Sequence, residues 1–357
     1  MLKIGIVGLS QVGKTTLFSI LTPAQSEALH AGKPEAHIGV ATVPDPRLDH
    51  MAEMYKPRKL IHATVEYVDT PGSVIDLARV GAQGATLREV AALAHVIRAF
   101  GEGDSPDASR LQGDVENVEL ELILSDLAVA EKRLERLEKD VKKQKNPALE
   151  QELRTLLACK ASLEKQIPLR EFTLDAAEER AIRGFTFLSQ KPMLYVLNLD
   201  EKAAAETAHP EKLAARFGLK PREKTLVTAV CGKVEAELAE LSDAEALDFL
   251  ASFGLAESAI ARMIRSSYQL LGLISFFTVG EDECRAWTIR SGATAWEAAG
   301  EIHSDIQKGF IRAEVVRYED LVAAGSLAEA RARATLRLEG KEYVVKDGEV
   351  VHFRHSS

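Results

Sequence analysis

The run Gly8-Leu9-Ser10-Gln11-Val12-Gly13-Lys14-Thr15 places a glycine at each end of a short loop and closes it with a lysine and a threonine. The spacing is G-x-x-x-x-G-K-[ST], and its chemistry is the grip of a polyphosphate. The glycines let main-chain N–H groups turn inward around the phosphates. Lys14 would reach the β- and γ-phosphates, and the Thr15 hydroxyl would ligate Mg²⁺. A second group, Asp69-Thr70-Pro71-Gly72, offers a carboxylate that can hold Mg²⁺ through water and a glycine whose N–H can approach a γ-phosphate. Lys14, Asp69 and Gly72 are therefore the candidate catalytic positions, and Thr15 and Asp69 the candidate metal ligands.

Such a loop works only between a strand and a helix, because the helix N-terminus supplies unpaired donors and the positive end of its dipole. Lys3-Ile4-Gly5-Ile6-Val7 is a short apolar run that predicts a buried strand, and Thr16-Leu17-Phe18-Ser19-Ile20-Leu21 predicts the first turns of a helix, stopped by Thr22-Pro23. Ala63-Thr64-Val65-Glu66-Tyr67-Val68 alternates as a strand and delivers Asp69 at its end. Residues 25–37 are polar, at the place of switch I in P-loop GTPases, and residues 73–87 take the place of switch II, with Gly81 and Gly84 as flex points. Strands are also predicted over 38–43 and 94–99, and a short helix over 47–55.

Pro192-Met193-Leu194-Tyr195-Val196-Leu197 and Thr225-Leu226-Val227-Thr228-Ala229-Val230 predict two more buried strands. They end in Asn198-Leu199-Asp200-Glu201 and Cys231-Gly232-Lys233, where a P-loop GTPase keeps its base-reading residues. Asn198, Leu199, Glu201 and Cys231 are the candidate base contacts. Guanine specificity uses N-K-x-D; here Leu199 replaces the lysine, and Glu201 is one methylene longer than aspartate. A site built to hydrogen-bond one base rejects another strongly, so this departure predicts weak guanine selection and a preference for adenine.

Between these parts the composition changes. Leu120, Leu124, Leu127, Leu134 and Val141 recur at helical steps in a charged stretch, and Leu149, Leu153, Leu156, Leu163 and Ile167 repeat the pattern after Lys142-Lys143-Gln144-Lys145-Asn146-Pro147. The pattern predicts an antiparallel coiled-coil hairpin over 116–184, inserted in a nucleotide domain of residues 1–115 and 185–272. Its basic tip, Lys139 to Lys145, is a candidate RNA contact. Residues 273–357 read as strands around one main helix, opened by a capping box at Thr294 and Glu297, and suggest a β-grasp binding module. In it Trp287, Phe310 and Tyr318 are expected in the core, and His303 with Asp305 is a weak candidate for a catalytic pair.

The bulk numbers agree with a globular chain. It has 357 residues, 46% of them hydrophobic, and a net charge of −9, which argues against a surface coated for nucleic acid and leaves room for a local basic patch. Three cysteines lie far apart in sequence and form neither a disulfide framework nor a zinc spacing, so a reducing compartment is expected. With no signal-peptide pattern before the first strand and no long apolar run, a soluble, cytoplasmic, monomeric protein without membrane contact is expected.

The order of parts resembles the YchF / Obg-like ATPase family: a P-loop, Val43-Pro44-Asp45-Pro46-Arg47-Leu48-Asp49, a coiled-coil insert, an N-x-x-E base motif and a TGS-type C-terminal domain. The closest strings are Arg285-Ala286-Trp287-Thr288-Ile289, Lys308-Gly309-Phe310-Ile311-Arg312-Ala313-Glu314-Val315 and Leu338-Glu339-Gly340-Lys341. The resemblance implies an α/β fold of the translation-factor GTPase class that binds ATP in preference to GTP, hydrolyses it slowly and associates with ribosomes. It carries nucleotide binding onto Gln11, Val12, Gly13, Lys14, Thr15 and Thr16, base contact onto Asn198 and Leu199, and Mg²⁺ onto Thr15. Two stretches depart from the family pattern. Residues 31–37 contain no threonine to complete Mg²⁺ coordination, and Ser73-Val74 opens what reads as a shortened switch II. Neither pattern puts a glutamine directly after the D-x-x-G, where Ser73 stands, to orient an attacking water. A nucleotide-binding scaffold with negligible hydrolysis and a GTP-specific GTPase therefore stand as alternatives to an ATP-preferring triphosphatase.

Overall fold

The computed structural model describes residues 2–23, 36–70, 81–101, 107–144, 146–220 and 222–356. Gly72, most of both switch segments and Lys145 lie outside them. In chain order the first elements are β1 (Lys3–Val7), α1 (Lys14–Leu21), β2 (His37–Thr42), α2 (Pro46–Tyr55), β3 (Lys59–Ile61), β4 (Thr64–Asp69), α3 (Gly81–Glu89) and β5 (Ala92–Ala99). There follow α4 (Ala108–Lys143), α5 (Pro147–Glu164), α6 (Ala176–Ile182), β6 (Met193–Leu199), α7 (Pro210–Arg216), β7 (Thr225–Val230), α8 (Gly232–Leu238), α9 (Asp243–Ser252) and α10 (Ala259–Leu270). The chain finishes with β8 (Leu273–Thr278), β9 (Glu283–Arg290), α11 (Ala295–Ile302), α12 (Ser304–Lys308), β10 (Phe310–Arg317), α13 (Tyr318–Ala324), α14 (Leu327–Ala332), β11 (Arg337–Glu339) and β12 (Glu349–His355).

These elements form two compact units, residues 1–41 with 66–270 and residues 42–65 with 271–357. In the first, six strands run in the order β2-β4-β1-β5-β6-β7, and β1 pairs in parallel with both β4 and β5, β5 with β6, and β6 with β7. Every residue of β6 is buried and β5 is nearly so, as a parallel sheet covered on both faces requires. The parallel pairing brings the C-terminal ends of β1, β5, β6 and β7 to one edge, which is where doubly wound sheets bind their ligands.

The helical insert differs from its predicted shape. A single helix, α4, begins at Ala108 rather than near 116, and Leu111, Val115, Val118 and Leu122 in its first half pack into the core of the parallel sheet. From Ile123 onward its buried residues belong to a separate core with α5, made of Ile123, Ala130, Leu134, Leu137, Leu156, Cys159 and Leu163. Arg133 bonds Glu152 while Lys160 bonds Glu131, so the two helices run antiparallel. Leu124 and Ile167, read as core positions, are exposed, because the buried stripe is set by the sheet as well as by α5.

The second unit is a six-stranded sheet in the order β11-β10-β12-β8-β9-β3. β8 and β9 form an antiparallel hairpin, β12 lies parallel beside β8, and β10 is antiparallel to β12. With α11 packed by Ala295, Ala298 and Ala299 over Phe276, Ile289, Val315, Val351 and Phe353, this is the predicted β-grasp arrangement. The Thr294–Glu297 capping box is present. Residues 42–65, assigned from sequence to the nucleotide domain, pack here instead. β3 pairs with β9 from Lys59↔Glu283 to Ile61↔Arg285, and Arg47 bonds Asp347 at 2.8 Å while its guanidinium sits 5.3 Å from the centre of the Phe277 ring. Phe310 is core and Trp287 packs against it, but the half-buried Tyr318 bonds His50 through its hydroxyl. His303 caps α12 by accepting from the Asp305 N–H, and its Nδ1 lies 3.4 Å from the Asp305 carboxylate with both side chains exposed, a structural job at the surface.

Candidate nucleotide-binding site

The phosphate loop leaves β1 at Gly8, whose φ is +149°; a Cβ there would lie 2.5 Å from the main-chain oxygen of Val96 in β5. It re-enters regular structure at Gly13, φ +98°, which caps α1. A side chain at Gly13 would sit 2.5 Å from Asn198 Nδ2. Between them Gln11 adopts φ +61° without being glycine, a strained turn that costs about 1 kcal/mol.

Lys14 is nearly buried, and its ammonium donates to the carbonyls of Leu9 at 2.6 Å and Gly8 at 3.2 Å. Burial lowers its pKa, and the Asp69 carboxylate opposes the shift. Thr15 Oγ1 donates to Asp69 Oδ2 at 3.1 Å. Asp69 is 2% exposed, and its Oδ1 finds no partner among the described residues. Burial raises its pKa against the pull of Thr15, Lys14 and His37. Thr70, next in the chain, is fully buried with its hydroxyl likewise lacking a partner among the described residues. A cavity of about 340 Å³ opens over the loop, lined by Ser10, Gln11, Gly13, Lys14, Thr15, Thr16 and Thr70. A hydroxyl, a buried carboxylate with one oxygen to spare and a lysine, all beside the N-terminus of α1, suit a hard cation such as Mg²⁺ and the phosphate oxygens it accompanies.

Asn198, at the end of β6, ties the loops together. Its Nδ2 donates to the Val12 carbonyl at 3.0 Å, and its Oδ1 accepts the Gly232 N–H at 3.0 Å. Leu199 is 4% exposed with its side chain in the sheet core, which leaves only its main chain for a base. Glu201 and Lys233 form an exposed ion pair.

Over 364 residues, 99% of the chain and 99% of its relative, the sequence is 40% identical to the ribosome-binding ATPase YchF of Bacillus subtilis. The chain belongs to the YchF family. It is also 40% identical to the ribosome-binding ATPase YchF of Escherichia coli O157:H7, over 98% of each chain. The solved structure of the Schizosaccharomyces pombe YchF GTPase superposes with a TM-score of 0.82 at 28% identity, covering 99% of this chain and 97% of that one. Residues 273–356 match the family model YchF-GTPase_C, described as a protein of unknown function (DUF933).

Within this YchF-family chain the structure gathers Gln11, Gly13, Lys14, Thr15 and Thr16 around one cavity and sets Asp69 against Thr15. Gly8 and Val12 are buried and do not line it. Cys231 is buried at the start of α8, where burial raises its thiol pKa and keeps it inert. Thr70 escaped the sequence reading, although it is the first residue of the D-x-x-G interior. The Asn198 side chain, a base-contact candidate by its motif, bridges the phosphate loop and α8 instead.

A buried polar cluster behind the loop also went unpredicted. His95 of β5, beside Val7 in register, is buried and its pKa is pushed down to about 4 by desolvation. Next to it Tyr195 donates to Glu119 at 2.8 Å, and Arg170 pairs with the same carboxylate, fastening α4 to the sheet.

Proposed function

We propose that this chain is a Mg²⁺-dependent nucleoside triphosphatase that prefers ATP to GTP, hydrolyses it slowly and uses the bound state to switch a ribosome-facing surface. The observation that carries the proposal is the Thr15–Asp69 pair, with its unsatisfied carboxylate oxygen, set beside Lys14 on a glycine loop. The names of the bacterial relatives support the ATPase and ribosome-binding parts. Loop amides and the Lys14 ammonium neutralise and orient the phosphate oxygens. Thr15 and Asp69 would hold Mg²⁺, which when bound offsets charge between the β- and γ-phosphates. With Ser73 rather than a glutamine directly after the D-x-x-G, turnover is expected to be slow. The chain is proposed to act as a cytoplasmic monomer, with the basic tip from Lys139 meeting ribosomal RNA phosphates.

Competition of ATP against GTP for one site, together with phosphate release at saturating ATP with and without ribosomes, tests this. Tighter ATP binding and release above that of Lys14→Ala are expected. A clear GTP preference would overturn the base assignment. Release equal to that of Lys14→Ala would replace the enzyme with a static nucleotide-dependent scaffold.

A further inference from the structure

Glu201 stands where an acidic side chain would read the edge of a guanine, and the structure gives it a partner that phosphate binding does not require. The Lys233 ammonium donates to Glu201 Oε2. Both residues sit at the first turns of helical segments that follow points held by Asn198. Glu201 follows it by three positions, and Lys233 follows Gly232, whose N–H is held by Asn198 Oδ1 at 3.0 Å. Through Nδ2 the same amide holds the Val12 carbonyl of the phosphate loop at 3.0 Å. The main chain that carries the ion pair is thus tied to the loop that would hold a nucleotide's phosphates.

We propose that Lys233 is a specificity-determining residue, which engages the Glu201 carboxylate and so admits adenine while rejecting guanine. This rests on the nucleotide-binding function proposed above. Guanine offers two donors on its Watson–Crick edge, N1–H and the N2 amino group, and a carboxylate without a counter-ion accepts both. Adenine offers a lone pair at N1 and a donor at N6, so such a carboxylate would set lone pair against lone pair. With Lys233 in place, one Glu201 oxygen is occupied and its charge is offset. The ammonium, one of its three N–H groups spent on Glu201, still has donors for an adenine nitrogen. The hydrogen bond to Glu201 raises the Lys233 pKa, so the ammonium persists at any working pH. Because both side chains are exposed, solvent limits the discrimination to far less than a buried reader achieves.

The test is isothermal titration of the full chain with the Mg²⁺ complexes of adenylyl and guanylyl imidodiphosphate. Lys233→Met keeps the aliphatic stem and removes the charge; Lys233→Gln repeats the loss with a polar stem. Either variant is expected to move the ratio of the two dissociation constants about tenfold toward the guanine analogue, or roughly one unit of log affinity. Glu201→Gln combined with Lys233→Met removes the released carboxylate and is expected to cancel that gain. A ratio within about twofold of the parent in both single variants would overturn the assignment, as would an equal shift in the double variant. Failure of the parent to bind either analogue would sink the function proposed above. A parent that binds, with a ratio the lysine variants leave unmoved, would sink the role of Lys233 alone.

Discussion

Asp69→Asn should stabilise the nucleotide-free protein and weaken its hold on Mg²⁺-nucleotide, two effects of opposite sign from one atom. Asp69 is 2% exposed, one of its oxygens accepts from Thr15 at 3.1 Å, and the other has no partner among the described residues. Leaving that oxygen charged and unsatisfied costs more than the roughly 1–3 kcal/mol of a neutral buried polar group, and the unpaired amide of asparagine relieves only the excess. Asparagine keeps the shape and the acceptor for Thr15 but removes the charge, at the loss of attraction to Lys14 and His37. The net gain without ligand should be about 1 kcal/mol, or roughly 2–4 °C in the melting temperature of a unit this size. The sign follows from the pKa. A carboxyl raised in the fold contributes stability at low pH and loses it as pH rises, so the gain should be larger at pH 7 than at pH 4. With Mg²⁺ and adenylyl imidodiphosphate the variant forfeits a cation ligand, which should cost about 10–100-fold in affinity. Thermal melts of the free protein, and of the protein with fixed analogue in the presence and absence of Mg²⁺, read both effects. A lower melting temperature without ligand, joined to an undiminished response to Mg²⁺, would refute the assignment of Asp69.

Asn198→Ala should weaken adenine and guanine analogues alike by at least about tenfold and cost about 2–4 kcal/mol in urea unfolding, because it strands the Val12 carbonyl and the Gly232 N–H; selective loss of one nucleotide would contradict the bridging role. His95 titrates near 4 in the fold against 6.5 when unfolded, so the unfolded chain binds more protons between those values and stability falls as pH drops through them. The loss should be about 3 kcal/mol, and His95→Gln should flatten that acid limb relative to the parent; identical pH slopes in urea unfolding would contradict it. Glu119, Arg170 and Lys14 surround this histidine and are common to both proteins, so the comparison isolates its proton.

What the sequence disclosed follows from how local each signal is. β1, the glycine loop and α1 are contiguous, and β7 spans Thr225–Val230 as predicted, because an apolar run bounded by polar residues needs no distant partner to be recognised. Lys59–Ile61 carries no such pattern; it is a strand only because β9 offers it an edge. Residues 42–65 were misplaced for the same reason, since their partners Phe277 and Asp347 lie far along the chain. In α4 one continuous helix serves two cores, so a single leucine stripe mispredicted which positions are buried, and Leu124 faces solvent. At the site the motif named Lys14, Thr15 and Asp69, but motif spacing does not encode side-chain partners. The Asn198 bridge, the Lys233–Glu201 pair and the buried Thr70 hydroxyl emerged only with tertiary structure.

Calorimetric titration of the full chain and of Lys14→Ala with Mg²⁺-ATP tests the central claim most directly, because Lys14 is the one ammonium on the glycine loop. One site per chain is predicted for the parent, and the variant should bind at least about a hundredfold more weakly, as expected when a charge-assisted contact to phosphate is removed. Equal affinity in the two proteins would mean that the loop around Gly13 does not hold the triphosphate.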